Sequence, residues 1–191
     1  DEVIQYIAER ELARAVERSR AKAGTAIVMD PSTGEILALA NQPTYDPNTY
    51  RKATSAARRN RAVTDAFEPG SAFKVILLAG ALEEGVVRPG DRFHGENGAI
   101  EVSGVTIRDH EKYGWLTVRQ ILTQSSNVGA IKIGQKLGKS LYYHYISGFG
   151  FGSLTGLDLP GETPGLMRRP RGWSALSLSV LSLGQEISVT P

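Results

Sequence analysis

The stretch Glu68-Pro69-Gly70-Ser71-Ala72-Phe73-Lys74-Val75-Ile76-Leu77-Leu78-Ala79-Gly80-Ala81-Leu82 decides how the rest of the chain is read. Pro69-Gly70 is a turn signal, and it feeds a segment that is apolar on nearly every face. Such a segment, with no amphipathic stripe, predicts a helix buried in the middle of a domain. Its first turn carries Ser71 and Lys74, three residues apart and therefore on one helix face. A lysine entering a core is costly unless a partner meets it or it gives up its proton. A serine at a helix N-terminus has free backbone N–H groups and the positive end of the dipole beside it, which favour developing negative charge. Desolvation would lower the lysine pKa, and a neutral amine can act as a general base. The pair therefore reads as a Ser-Lys arrangement for nucleophilic catalysis without histidine. The plainer reading is a serine cap with a lysine snorkelling from the first turn. Ser-x-x-Lys alone is a weak pattern, and a chain of this length holds about one by chance.

Outward from that helix, Gly85 after Glu83-Glu84 is a good terminating residue. On the N-terminal side, Glu2 to Arg20 predicts an amphipathic helix, with Gly24 breaking it. Thr25 to Asp30 and Glu35 to Ala40 flank the turn Pro31-Ser32-Thr33-Gly34, which predicts an antiparallel hairpin. Both runs are apolar on consecutive residues, so the hairpin is expected to be central and covered on both faces. Asn41 to Tyr50 reads as an ordered loop, and the basic residues between Arg51 and Arg61 as a solvated face. No aromatics are interleaved among those basic residues, which argues against a nucleic-acid patch.

On the C-terminal side, Val86 to His110 is turn-rich and predicts small hairpins. Thr117 caps a short helix, Val118 to about Thr123. Ser125-Ser126-Asn127 interrupts, Val128 to Leu137 resumes helical spacing, and a further helix runs over about Leu141 to Ser147. Two glycine-rich loops follow, at 148–152 and 160–165. Ala175 to Leu183 alternates Ser with Leu and Val, which suits a strand or a buried helix equally.

Composition narrows the chemistry. The 191 residues are 41% apolar and 22% charged with a net charge of +2, an ordinary balance for a soluble globular domain. That charge is too small to argue for nucleic acid or an anionic membrane. The absence of cysteine excludes disulfides, thiolate metal sites and a Cys nucleophile. His94, His110 and His144 show no metal-ligand spacing. The glycines at 148, 150 and 152 do not complete a dinucleotide fingerprint, and no Gly-Lys-Ser/Thr phosphate loop occurs. Gly-x-Ser-x-Gly is also absent, which disfavours an α/β-hydrolase. Ser125-x-Asn127 is a weak pattern by itself, since Ser and Asn between helices are ordinary capping residues. Beside a Ser-Lys pair, however, a second Ser and an Asn could relay a proton and hold the lysine and a substrate amide.

Several ordered blocks together carry a specific resemblance. Arg59-Asn60-Arg61-Ala62-Val63-Thr64-Asp65 runs into Glu68-Pro69-Gly70-Ser71-Ala72-Phe73-Lys74. Asp30-Pro31-Ser32-Thr33-Gly34-Glu35-Ile36-Leu37-Ala38 precedes it, and Ser125-Ser126-Asn127-Val128-Gly129 follows 54 residues after Ser71. Phe149-Gly150-Phe151-Gly152, Thr155-Gly156, Asp158-Leu159-Pro160-Gly161-Glu162 and Gly184-Gln185-Glu186-Ile187-Ser188-Val189-Thr190-Pro191 complete the set. Over nearly its whole length the chain resembles the class B penicillin-binding proteins, the D,D-transpeptidases of bacterial cell-wall synthesis. Ala72 stands where threonine is usual in that family.

The resemblance implies an α+β fold of the β-lactamase/transpeptidase type, an antiparallel sheet flanked by helices with a central buried helix carrying the nucleophile. It implies that Ser71 is acylated by the D-Ala-D-Ala end of a peptidoglycan stem peptide, and that an amine of a neighbouring stem resolves the acyl-enzyme into a cross-link. Lys74 would be the base, Ser125 the proton relay and Asn127 the orienting amide. β-Lactams would trap Ser71, and no metal or organic cofactor is expected. Membrane-embedded cell-wall synthesis proteins are the implied partners. The implied location is the extracytoplasmic face of the bacterial inner membrane, with the anchor outside these residues.

The family also has a third motif, Lys-Ser/Thr-Gly, well after the second. Pro191 comes before any such motif; Lys132, Lys136 and Lys139 lack the pattern, and Lys22-Ala23-Gly24 lies at the wrong end. Residues 1–191 are therefore expected to be the N-terminal two-thirds of a transpeptidase domain, without its C-terminal strands and weakly active or inactive alone. Two other readings remain open at this point. One is a non-catalytic scaffold of the same fold in a cell-wall complex. The other is a serine β-lactamase, for which Glu162 is the one loop carboxylate to consider as a hydrolytic base.

Overall fold

Asp1 starts the first element of the computed structural model, which describes residues 1–191. Its carboxylate accepts the Ile4 N–H at 3.0 Å and caps helix α1, Glu2–Ser19. The helix stops at Arg20, which takes a left-handed conformation (φ 52°), rather than at Gly24. Gly24 serves packing instead. It opens strand β1, Gly24–Met29, and a Cβ there would lie 2.8 Å from Val16 Cγ2 and 3.0 Å from Leu12 Cδ1 of α1. Strand β2, Ile36–Gln42, pairs antiparallel with β1 in the expected hairpin, Ala26 opposite Ala40.

The hairpin is not covered on both faces as its composition suggests. It forms a two-stranded sheet with α1 packed against it, and Val28 and Met29 stay 36% and 52% exposed. A short apolar run is compatible with double coverage without requiring it, and single exposed hydrophobics are ordinary. Two short helices follow, α2 (Ser55–Arg58) and α3 (Arg61–Thr64). Arg59 and Arg61 both pair with Asp65, at 2.6 and 3.0 Å. These elements, with 156–163 and 190–191, make one compact unit of the chain.

The second unit comprises 67–155 and 164–189. A 3-10 turn, Gly70–Phe73, runs directly into α4, Lys74–Glu83. Strands β3 (Arg92–His94), β4 (Ala99–Val102), β5 (Val105–Arg108) and β6 (Trp115–Thr117) follow as two small antiparallel pairs, β3 with β6 and β4 with β5. Helix α5 (Val118–Thr123) starts on a full capping box. The Thr117 hydroxyl accepts the Gln120 N–H, and the Gln120 side chain accepts the Thr117 N–H. Then come α6 (Asn127–Leu137), α7 (Lys139–Gly148) and α8 (Ser177–Leu181).

Helix α4 is the hub of this unit. Phe73, Leu77, Leu78 and Ala81 are buried among Ile131 and Ile133 of α6, Tyr142 and Ile146 of α7, and Leu181 of α8. Two glycines allow the close approach. A Cβ on Gly80 of α4 would sit 2.7 Å from the Tyr145 ring, and one on Gly134 of α6 would overlap Ser182 Oγ. The Tyr142 hydroxyl is fully buried and donates to Leu181 O at 2.9 Å, and burial pushes its pKa well above the ordinary phenol value. Of the two conformations open to Ala175 to Leu183, the chain adopts the helix. The buried Ser182 hydroxyl finds a local acceptor there, donating to Leu178 O at 2.8 Å.

Candidate active site

Ser71 and Lys74 leave the backbone where the 3-10 turn passes into α4. A 3-10 turn has three residues per turn, so positions i and i+3 eclipse more closely than in an α-helix. That aligns the two side chains on one face with opposite exposure. Ser71 is exposed, while Lys74 is only 1% exposed. As the second residue of the turn, Ser71 has a backbone N–H with no carbonyl of its own helix to bond.

The Lys74 ammonium is not left to snorkel. Its Nζ donates to the Ser125 carbonyl at 2.6 Å, to Ser125 Oγ at 3.0 Å and to Asn127 Oδ1 at 2.8 Å. Those three bonds use all the donors that a lysine ammonium has. Burial lowers the Lys74 pKa from about 10.5 to about 8, and the negative charge of Asp109 pulls in the opposite direction. Both escapes from the cost of burying a lysine are therefore in use, partners and partial loss of the proton.

Ser125 presents two oxygens to the lysine because its backbone is left-handed (φ 54°), a region that non-glycine residues rarely occupy. Strain of that kind costs on the order of 1–3 kcal/mol and persists only where the surroundings impose it. The surroundings here are α6 and its cap. Ser126 is the N-cap, its hydroxyl accepting the Gly129 N–H at 3.0 Å. Asn127 is held from its other end, where Nδ2 donates to the Arg108 carbonyl at 2.8 Å. Oδ1 is thereby turned to Lys74 and one amide hydrogen is left over.

Asp109 ties this loop together. One carboxylate oxygen accepts the backbone N–H groups of Asn127 and of Val128, the latter at 3.1 Å. The other accepts the Ser126 hydroxyl at 2.8 Å. A carboxylate at a helix N-terminus satisfies orphan donors and complements the dipole. No motif points to Asp109 in the sequence, and the only available signal is an acidic residue ending a predicted hairpin.

Four residues singled out in the sequence thus share one small region of the second unit, with Lys74 bonded to Ser125 and Asn127 and Ser71 one turn away on its own face. Glu162 belongs to the first unit. His94 and His144 sit edge-to-face against Trp115 and Tyr145.

The arrangement can generate a nucleophile. When Lys74 is neutral, its lone pair can take a serine proton, and the contact with Ser125 Oγ can carry a proton either way.

Comparison with known proteins places the chain in a family. Residues 24–191 match the family described as the penicillin binding protein transpeptidase domain. The probable peptidoglycan D,D-transpeptidase PenA of Neisseria gonorrhoeae is 43% identical over 190 residues, covering 100% of this chain and 32% of that protein. The peptidoglycan D,D-transpeptidase FtsI of Escherichia coli K12 is 38% identical over 196 residues, covering 100% of this chain and 32% of FtsI. The chain thus spans about a third of the length of these curated relatives. Among solved structures, penicillin binding protein 3 of Mycobacterium tuberculosis in complex with aztreonam superposes with a TM-score of 0.92 at 34% identity, over 100% of this chain and 43% of that one. The apo transpeptidase domain of Burkholderia pseudomallei penicillin-binding protein 3 gives 0.89 at 35%, over 100% and 53%. The chain belongs to the penicillin-binding protein transpeptidase family.

Proposed function

We propose that the protein carrying this domain is a peptidoglycan D,D-transpeptidase that works through an acyl-enzyme on Ser71. The observation that carries this reading is the buried Lys74, bonded to Ser125 and Asn127 and one turn from the exposed Ser71. Neutral Lys74 takes the proton of Ser71 Oγ as that oxygen attacks the carbonyl carbon of the penultimate D-Ala. The amide C–N bond breaks, and the departing D-Ala amine receives a proton passed through Ser125. The ester left on Ser71 is then attacked by an amine of a second stem peptide. That amine loses a proton, the new amide forms, and Ser71 Oγ is reprotonated. Asn127 holds Lys74 with its oxygen and has one amide hydrogen free for a substrate carbonyl. β-Lactams carry a strained amide that Ser71 opens in the same way, and the ester persists.

Such a protein would act on the extracytoplasmic face of the inner membrane, among membrane-embedded proteins of cell-wall synthesis. No helix of the chain is long and apolar enough to cross a membrane.

The test is release of D-Ala from a stem pentapeptide by the full-length protein, with cross-linked product when an amine acceptor is added. Ser71→Ala should lose both activities by on the order of 10⁴-fold or more with an unchanged melting temperature. Wild-type D-Ala release by that variant would overturn the reading.

A further inference from the structure

Gly184-Gln185-Glu186 takes no part in the site described so far, yet it grips the residues in front of Ser71. Pro69 and Glu68 have no regular structure, so the chain enters the nucleophile turn from an irregular segment. Three ties run from that segment to 184–189, two between backbone groups and one from a backbone N–H to a side chain. Phe67 and Val189 exchange N–H···O bonds of 2.9 Å in both directions. The Glu186 N–H donates to Glu68 Oε1 at 2.9 Å. The Gly70 N–H donates to Gly184 O at 3.0 Å. The last tie sits one residue before Ser71, and the approach there leaves no room for a side chain. A Cβ on Gly184 would overlap Gly70 O and come within 2.7 and 2.8 Å of Gly70 C and N.

The grip is itself anchored. Gly184 and Glu186 are both left-handed, at φ 77° and 57°, and the glutamate pays strain to be so. Glu186 Oε2 accepts the Ser177 hydroxyl at 2.6 Å, and Ser177, 2% exposed, accepts the Ser174 N–H at 2.9 Å. Ile187 is buried in the core, and Ser188 exchanges backbone bonds of 2.8 and 3.0 Å with Leu166. Helix α4 fixes the C-terminal side of the nucleophile, whereas the N-terminal side depends on this segment.

We propose that the strap Gly184–Val189 is a positioning element for Ser71, with the Gly184–Gly70 backbone contact and the Glu186–Glu68 hydrogen bond as its working parts. The proposal rests on the reading of Ser71 as the nucleophile. Misplacing a reacting group by about an ångström costs about 10²-fold in rate. The strap therefore acts on the acylation step and leaves initial binding of the ligand alone.

The test is rapid-mixing acylation of the full-length protein by a fluorescent penicillin, resolving the non-covalent Kd from the acylation rate constant. Gly184→Ala should lower the rate constant about 10²-fold with little change in Kd. Glu68→Ala should lower it roughly 10-fold, and Glu68→Gln should restore it, because the amide oxygen accepts the same N–H. The glutamine rescue separates a hydrogen bond that places Ser71 from a general loss of stability. If Gly184→Ala does not fold, the Glu68 pair decides the question alone. Folded variants that acylate at the wild-type rate constant, with only a lower melting temperature, would overturn the proposal. Wild-type protein with no adduct on Ser71 would instead overturn the reading beneath it.

Discussion

At Lys74 burial and polarity compete. The low-polarity core disfavours the ammonium, while the charge of Asp109 favours it, and a pKa of about 8 is the outcome. Acylation should accordingly accelerate as pH rises through about 8, where Lys74 becomes a free base. In stability the sign is the same. The folded pKa lies below the ordinary value of 10.5, so between about 8 and 10.5 the unfolded chain binds more protons and stability rises with pH. Denaturant titrations of wild type against Lys74→Met should reveal this rise as a difference of up to about 3 kcal/mol between the two ends of the window. A flat difference would mean that Lys74 titrates normally. Asp109 predicts a second shift. Asp109→Asn removes the charge that supports the ammonium, so the pH profile of acylation should move to lower pH. The loss of capping bonds to α6 should cost about 1–2 kcal/mol in the same titrations.

Among the elements, those with local chemistry were readable in advance. Thr117 is the cap expected from the sequence, Gln120 completes it as a capping box in the structure, and Thr117→Ala should lower stability by about 1 kcal/mol, measured by thermal or urea unfolding. The Pro-Ser-Thr-Gly turn likewise predicts the β1–β2 hairpin that forms. Packing between helices is a different matter. Gly80 looks like a helix-weakening residue in an otherwise good helix former, and only the Tyr145 ring 2.7 Å from its would-be Cβ explains it. Gly80→Ala should therefore destabilise by about 1–3 kcal/mol by overpacking, although alanine is the better helix former. A stabilised variant would show that α4 and α7 can separate freely. The 3-10 geometry at Ser71 was equally hidden, because a helix prediction does not distinguish its first turn from the rest.

Across the molecule, legibility followed how local each cause is. The helices and the hairpin were visible because periodicity and turn residues encode them, whereas Ser71, Lys74, Ser125 and Asn127 form weak patterns alone and took their roles from the family resemblance of the ordered blocks around them. The left-handed Ser125, the tie from Asn127 to the Arg108 carbonyl and the threefold acceptor Asp109 were not, since each depends on backbone groups that only the fold brings near. The strap at Gly184 to Glu186 stood out as a block with no chemistry attached, and its meaning lies in a backbone contact more than a hundred residues away. Family membership covers residues 24–191, and the catalytic reading adds a nucleophile and a base to it. The most direct measurement is to treat the full-length protein with a labelled penicillin and map the adduct by peptide mass spectrometry. A single ester on Ser71 is expected, lost in Ser71→Ala and slowed in Lys74→Met. An adduct on any other residue, or undiminished labelling of Ser71→Ala, would contradict it.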